Sequence, residues 1–309
     1  MTKPFRFSVT AGGITNVTEF LELARKTEDL GYASLTIPDH LDNQLAPIPA
    51  LTAAAMHTSS LRLLTLVLAN DYRHPVMTAK EAATLDLISD GRLELGLGAG
   101  WMKSDYEEAG IDYDKPSVRI RRLGEAVTIV KGLLGNDPVS FDGEFYNVTN
   151  MEGLPKPKQS SVPIMLAGGK EKILTLAASQ GDIVGINPSL TAGVIDERAG
   201  ATATPNATDQ KLEWIRAAAG DRIDSIELQT RVHLAAVVDN REELAATMGP
   251  ALGLSAEDAL DSPHALMGTT EQCIEQVQGW RERWGISYVG FSYDAVEQMA
   301  PIVEALAGT

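Results

Sequence analysis

With one cysteine, Cys273, in 309 residues, the chain can form no internal disulfide and no cysteine-based metal cluster. No apolar run approaches the ~20 residues that cross a bilayer. The N-terminus, Met1-Thr2-Lys3-Pro4-Phe5, enters a strand pattern without a signal-peptide apolar stretch, so a cytoplasmic protein is expected. Positive charge is scarce. Lys and Arg number 26 against 42 Asp and Glu, a net charge of −16 that repels phosphate backbones and anionic membrane surfaces. Nucleic acid and membrane are therefore not expected partners, although a phosphorylated cofactor needs only a local cluster of backbone N–H groups. A serine nucleophile elbow, a Walker loop and zinc-ligand spacing are all missing, so no metal is expected.

What is present is a strand–helix alternation. Phe5, Phe7 and Val9 alternate as a first strand, and Asn16-Val17-Thr18-Glu19 has the form of a capping box before a helix ending at Gly31. Ala33–Ile37 is a short strand, 47–59 a helix, and Leu61–Leu68 a nearly continuous apolar run, as in a parallel strand buried on both faces. Pro75 opens a helix that Gly91 closes, and Leu93–Leu97 is a fourth strand. A helix over 116–134 precedes a hairpin over 139–149 around Asp142-Gly143. Val162–Ala167, Ile183–Ile186, a segment of Ile226–Val238 and Ile286–Phe291 complete eight strands. Cys273, Val277, Trp280 and Trp284 mark one face of a helix, and a last helix runs through Leu306. Eight strands each followed by a helix predict a single (β/α)8 TIM barrel over 1–309 with loop insertions. A doubly wound sheet with a second domain is the alternative, but it wants a linker that the composition does not show. The Ala/Thr/Gly-rich stretch 188–209 reads as a mobile loop, and 248–268 as another extended connection.

In such a barrel the chemistry sits just past the strand C-termini. Those positions carry Asp39-His40, Asn70-Asp71, Gly98-Ala99-Gly100-Trp101, Gly168-Gly169-Lys170 and Asn187, a polar and glycine-rich set suited to binding a ligand. The run Gly96-Leu97-Gly98-Ala99-Gly100 suggests a dinucleotide fingerprint, but Trp101 stands where its last glycine belongs and no first βα turn is near. Glycines there let backbone approach a ligand or make a tight turn. His40 can move a proton near neutral pH and Asp39 can fix a heteroaromatic ligand; equally, Asp39 can cap a segment and His40 be a satisfied polar residue. Gly168, Gly169 and Lys170 form either an anion site at a helix N-terminus or a plain βα turn. His57, His74, His233 and His264 have no ligand spacing and read as structural.

Taken together, the chain resembles the luciferase-like monooxygenase superfamily, in its branch of coenzyme F420-dependent oxidoreductases. The matching segments are Ser34-Leu35-Thr36-Ile37-Pro38-Asp39-His40, Tyr72-Arg73-His74-Pro75, Ser89-Asp90-Gly91-Arg92 through Trp101, Pro163-Ile164-Met165-Leu166-Ala167-Gly168-Gly169 and Gly268-Thr269-Thr270-Glu271-Gln272, in order over nearly the whole chain. The resemblance implies a TIM barrel, a homodimer, and a deazaflavin ring in the barrel mouth with its phosphate at Gly168-Gly169. Asp39 would contact the ring and His40 would stand near its reactive edge. A non-proline cis peptide would fall at Thr65-Leu66, under the ring, and Gly98, Gly100, Trp101 and Lys170 would complete the cofactor site. The sugar-phosphate dehydrogenase branch has a Trp after Asp-His and a Glu after the Gly-x-Gly turn. Here Asn43-Gln44 and Trp101 stand there, which argues against glucose-6-phosphate.

Hydride transfer between coenzyme F420 and a small organic substrate is the expected activity, with His40 moving the proton. The nearest rival is an FMN-dependent monooxygenase on the same fold, using reduced flavin and O2. A flavin carrier without turnover and a sugar hydrolase rank behind; the hydrolase needs two carboxylates at the strand ends, and Glu94 is not aimed there.

Overall fold

The computed structural model describes residues 3–194 and 197–309. Eight parallel strands close on themselves: β1 Arg6–Thr10, β2 Ser34–Ile37, β3 Arg62–Thr65, β4 Leu93–Gly98, β5 Ile164–Gly168, β6 Ile183–Ile186, β7 Glu227–Arg231 and β8 Ile286–Ser292. β1 pairs with β2 and β8, the order continues β8-β7-β6-β5-β4, and Leu63↔Leu93 joins β3 to β4 to seal the barrel. The TIM barrel expected from the alternation is the observed fold.

The alternation sorts side chains by face. Phe7, Val9, Leu35, Ile37, Leu63, Leu93 and Leu95 are fully buried in the main apolar cluster between barrel and helices. The inner face is more polar, with Ser8, Thr10, Ser34, Thr36, Glu94 and Gln229 buried among Leu64, Met165 and Tyr288. Glu94 anchors the inner network. Its Oε1 accepts from Arg6 and Arg62, each at 2.6 Å, and Tyr288 donates to Oε2 at 3.3 Å. Burial pushes this carboxyl up, but the two guanidiniums outweigh it and hold Glu94 below the usual carboxylate range. Committed to this network, Glu94 is no catalytic acid at the strand ends.

The outer helices follow their sequence signals. Asn16 caps Val17–Asp29 by accepting from the Thr18 and Glu19 N–H groups, and Thr269 with Gln272 forms a capping box on Thr270–Trp284, whose Cys273, Val277, Trp280 and Trp284 are buried. The hairpin pairs Val139–Asp142 with Asn147–Met151, and Glu125 accepts from the N–H groups of 144–146 at its turn. Among the described residues no helix is long and apolar enough to cross a membrane.

Four details depart from the sequence reading. The non-proline cis peptide lies at Leu66–Val67, one residue beyond Thr65-Leu66. The run Leu61–Leu68 is correspondingly broken, β3 ending at Thr65 and a two-residue strand resuming at Leu68–Ala69. Ile226–Val238 holds two strands: after β7, Leu234–Val237 leaves the barrel and pairs in parallel with Ala265–Gly268. The stretches 188–209 and 248–268 are not open loops. They carry helices at Glu197–Gly200 and Ala256–Asp261 and share a small apolar core of Ala203, Ala245, Leu254, Ala259, Ala265 and Met267; residues 195–196 lie outside the described part.

The glycines of β4 have a packing cause. A Cβ at Gly96 would overlap the Thr65 carbonyl oxygen, and one at Gly98 would overlap Val67 Cγ2. Gly96 makes room for the Thr65 backbone and Gly98 for the Val67 side chain. Gly96→Ala is therefore expected to destabilise the protein by about 3 kcal/mol in urea unfolding. Gly279→Ala, in a helix where a Cβ meets nothing, should stabilise by about 0.5–1 kcal/mol. Equal stability of the two variants would refute this account.

Candidate active site

The strand C-termini open onto a cavity of about 670 Å³, within the range of small-molecule sites. Its lining includes Asp39, His40, Leu66, Val67, Gly98, Gly100, Trp101, Gly168, Gly169 and Lys170. Thr65 is not in the lining: its fully buried hydroxyl accepts from Gly96 N–H and donates to the Gly96 carbonyl, each at 2.9 Å, stitching β3 to β4. Asn70 and Asp71 also face away. Asn70 donates to the Tyr146 hydroxyl, and Asp71 accepts from Tyr106 and Arg122. These two residues join the hairpin and the 116–134 helix to the barrel.

Asp39 follows β2 and is buried. Its Oδ2 accepts from Ala69 N–H at 2.9 Å, and Arg73 grips both oxygens from Nη1 and Nη2. Its carboxylate is thus a fixed, paired anion that ties the β2 end to the segment after β3, and little of it remains for a ligand.

His40 is held differently. Nδ1 stands 2.9 Å from Asp105 Oδ2, the same oxygen that accepts from the Tyr72 hydroxyl at 3.1 Å. Because that carboxylate accepts, Nδ1 carries the hydrogen and Nε2 keeps its lone pair in the neutral ring. Among the described residues Nε2 has no partner, and it is not a buried atom. Trp101 meets the imidazole edge-on with centroids 5.4 Å apart. Burial, then the Asp105 charge, pushes the Tyr72 phenol well above its ordinary range, so it stays a donor. Asp105 is the partner that sequence reasoning missed. It sits on the short helix Lys103–Ala109, 65 residues from His40, with no motif to announce it.

Arg119 holds the glycine-rich turn after β4: buried, it donates to the carbonyls of Ala99 and Gly100 and lies 4.1 Å over the Tyr113 ring. A Cβ on Gly100 would overlap the Tyr106 hydroxyl, so this glycine too makes way for protein. Across the mouth, a Cβ on Gly169 would meet the Pro188 carbonyl group at 2.5 Å, pressing the β5 turn against the β6 loop. The helix that starts there, Glu171–Gln180, has no side-chain cap, unlike Val17–Asp29 and Thr270–Trp284, so its first N–H groups have no such acceptor.

His233 and His264, read as structural from sequence, both line the cavity, as does Arg231 at the end of β7. His57 and His74 bond local backbone, as does His264, whose Nδ1 bonds the Arg231 carbonyl. Among the described residues no cluster of three His, Cys, Asp or Glu is placed to hold a metal.

A luciferase-like monooxygenase family model matches residues 2–288. The chain belongs to that family. Relatives with described activities include the 5,10-methylenetetrahydromethanopterin reductase of Archaeoglobus fulgidus, 36% identical over 162 residues, 52% of this chain and 47% of that protein. The 4-hydroxyprotoasukamycin monooxygenase of Streptomyces nodosus subsp. asukaensis is 26% identical over 288 residues, 86% of this chain and 77% of that protein. The solved structure of the coenzyme F420-dependent tetrahydromethanopterin reductase of Methanopyrus kandleri superposes with a TM-score of 0.78 at 19% identity, covering 98% of each chain, a likeness of fold. Matches to the first curated relatives span 47–66% of their length. Reductases and monooxygenases thus share this luciferase-like barrel.

One further group shapes the field of the site. Lys211 is buried, its Nζ donating to the carbonyls of Asn187 at 2.7 Å and Thr202 at 2.6 Å, with no ion pair among the described residues. Burial, reinforced by the nearby Lys170 charge, lowers its pKa from 10.5 to about 7. A lysine with a depressed folded pKa costs stability while charged, so stability rises with pH as the native state loses this proton first. Between about pH 7 and 10 the slope from this group should approach ~1.4 kcal/mol per pH unit. Lys211→Met should flatten the rise in stability between pH 7 and 9; an unchanged slope in chemical unfolding would show that the lysine is not held this way.

Proposed function

We propose that this chain is an oxidoreductase that moves a hydride between coenzyme F420 and a small organic substrate. The observation that carries the reading is His40, anchored through Nδ1 to Asp105 with Nε2 unpartnered at the cavity. The Asp39-His40 pairing after β2 and the reductase relative support it. The residues present fit such a cofactor. Leu66, Val67, Ala99, Ala167 and Ile173 offer an apolar wall to the faces of a planar ring. The uncapped helix N-terminus beyond Gly168-Gly169, beside Lys170, suits its phosphate. Leu66, Gly98, Gly100 and Trp101 would bound the ring, with Thr65 acting from behind through Gly96.

When bound, the deazaflavin supplies a two-electron hydride donor or acceptor, its ring carbon replacing the flavin nitrogen that supports oxygen chemistry. The protein supplies position and a proton path. In the oxidising direction Nε2 of His40 takes the substrate hydroxyl proton, and the Asp105 carboxylate stabilises the imidazolium that forms. In the reducing direction the same nitrogen returns it. Tyr72 fixes the Asp105 carboxylate, while the Asp39–Arg73 pair keeps the β2 end in place.

We also propose a homodimer, because Met56, Met77, Leu87 and Ile88 are exposed on the mutually packed helices Pro47–His57 and Pro75–Ile88. Sedimentation at working concentration should give the dimer mass, and a monomer profile would refute it.

Fluorescence titration separates the two cofactors. Micromolar or tighter binding of coenzyme F420 without binding of FMN is expected; FMN binding alone would turn the reading to an FMN-dependent monooxygenase. His40→Ala should lower turnover ~10²–10⁴-fold with cofactor affinity nearly unchanged. Activity unaffected by that substitution would remove His40 from the chemistry.

A further inference from the structure

The charges of the mouth are divided between its two sides. Asp39 and Asp105, near β2 and β4, are both bonded within the protein. The side built by β5 to β7 carries Lys170, Arg231, His233 and His264 in the lining, with Lys211 behind them. In a chain of net charge −16 this is an unbalanced basic cluster.

Arg231 is its centre. Arg6, Arg62, Arg73, Arg92, Arg119 and Arg122 all bond to carboxylates or carbonyls. The Arg231 side chain has neither a hydrogen bond nor an ion pair among the described residues, and its Nε is buried without a partner. The residue is half-buried, and its Nη atoms open to the cavity with no protein acceptor, where the two oxygens of an anion would meet them. Burial lowers its pKa, with the Asp294 charge acting the other way. The neighbouring histidines add no fixed charge. His264 Nδ1 donates to the Arg231 carbonyl at 3.0 Å, and burial holds the ring well below its ordinary pKa. His233 is exposed to the cavity beside Arg231. The permanent charge at the β7 end is therefore that of Arg231. It comes from a different strand end than the Gly168–Lys170 turn, which the cofactor phosphate would use.

We infer that Arg231 is a specificity-determining residue that binds an oxyanion, carboxylate or phosphate, on the substrate. The inference rests on the oxidoreductase reading above for calling that ligand the substrate. Arginine suits the task because its planar fork can take two oxygens of either group at once. His233 lies beside it in the lining.

The test is calorimetric titration of the full chain, free of cofactor, with benzoate, phenyl phosphate and neutral benzamide as probes. At least one anion should bind wild type at least tenfold more tightly than benzamide does. Arg231→Gln should weaken that anion at least tenfold, Arg231→Lys should recover part of the loss, and Arg121→Gln, at an exposed pair with Glu144, should change nothing. Melting temperatures show that each variant is folded. Anion binding unaltered in Arg231→Gln, no preference over benzamide, or no anion binding to wild type would overturn the inference. So would loss of cofactor affinity in Arg231→Gln, which would assign the guanidinium to the cofactor. Failure of wild type to bind either cofactor would instead strike the oxidoreductase reading, and the anion titration is read separately from it.

Discussion

The site depends on the close approach of the segment leaving β3 to the glycines of β4. Gly96 and Gly98 have no Cβ, so Thr65 and Val67 come into contact with β4 where any side chain would collide. Thr65 then closes the contact by bonding both polar groups of Gly96. This is packing of protein on protein, and its product is functional: Leu66 and Val67 are pushed into the barrel mouth as part of an apolar wall, with Ala69 positioned to donate to Asp39. A larger residue at either glycine would move the wall and the anchored carboxylate together.

Around that constraint the polar groups sort by depth. Inside the barrel Glu94 is satisfied by Arg6, Arg62 and Tyr288, a network whose removal would leave buried charge unpaired. At the mouth, Asp39 is neutralised by Arg73, while Asp105 is left to orient His40. Two adjacent residues after one strand thus have opposite fates: Asp39 is structural in its bonding, and His40 offers a free nitrogen to the cavity. The basic groups opposite, from β5 to β7, give the mouth a direction that overall acidity conceals.

Much of this was legible in the sequence because the barrel obeys local rules. Alternating and continuous apolar runs marked the strands, and caps and glycines marked the helix ends. The segments that carry the family resemblance run in order through β2, the start of the helix after β3, β4 and β5, to the cap of the Thr270–Trp284 helix. What stayed hidden has physical causes. Ile226–Val238 reads as one strand because its second half is apolar for a different sheet, pairing with Ala265–Gly268. The roles of Asp105, Arg231, His233 and His264 come from convergence in space. A helix of seven residues brings Asp105 to His40 with no spacing to betray it, and Arg231 looks like an ordinary charge at a strand end. Gly96 and Gly98 were visible, but a sequence cannot say whether the neighbour that needs the room is a ligand or Val67.

The central claim is that the mouth seats a tricyclic cofactor between the Leu66–Val67 wall and the His40 side of the cavity. A crystal structure of the protein with oxidised coenzyme F420 tests it most directly. The account predicts the ring against Leu66 and Val67, its phosphate on the N–H groups after Gly168-Gly169, and His40 Nε2 facing the ring's reactive carbon with the Asp105 contact intact. A ring bound elsewhere, or one that displaces His40 from Asp105, would contradict it.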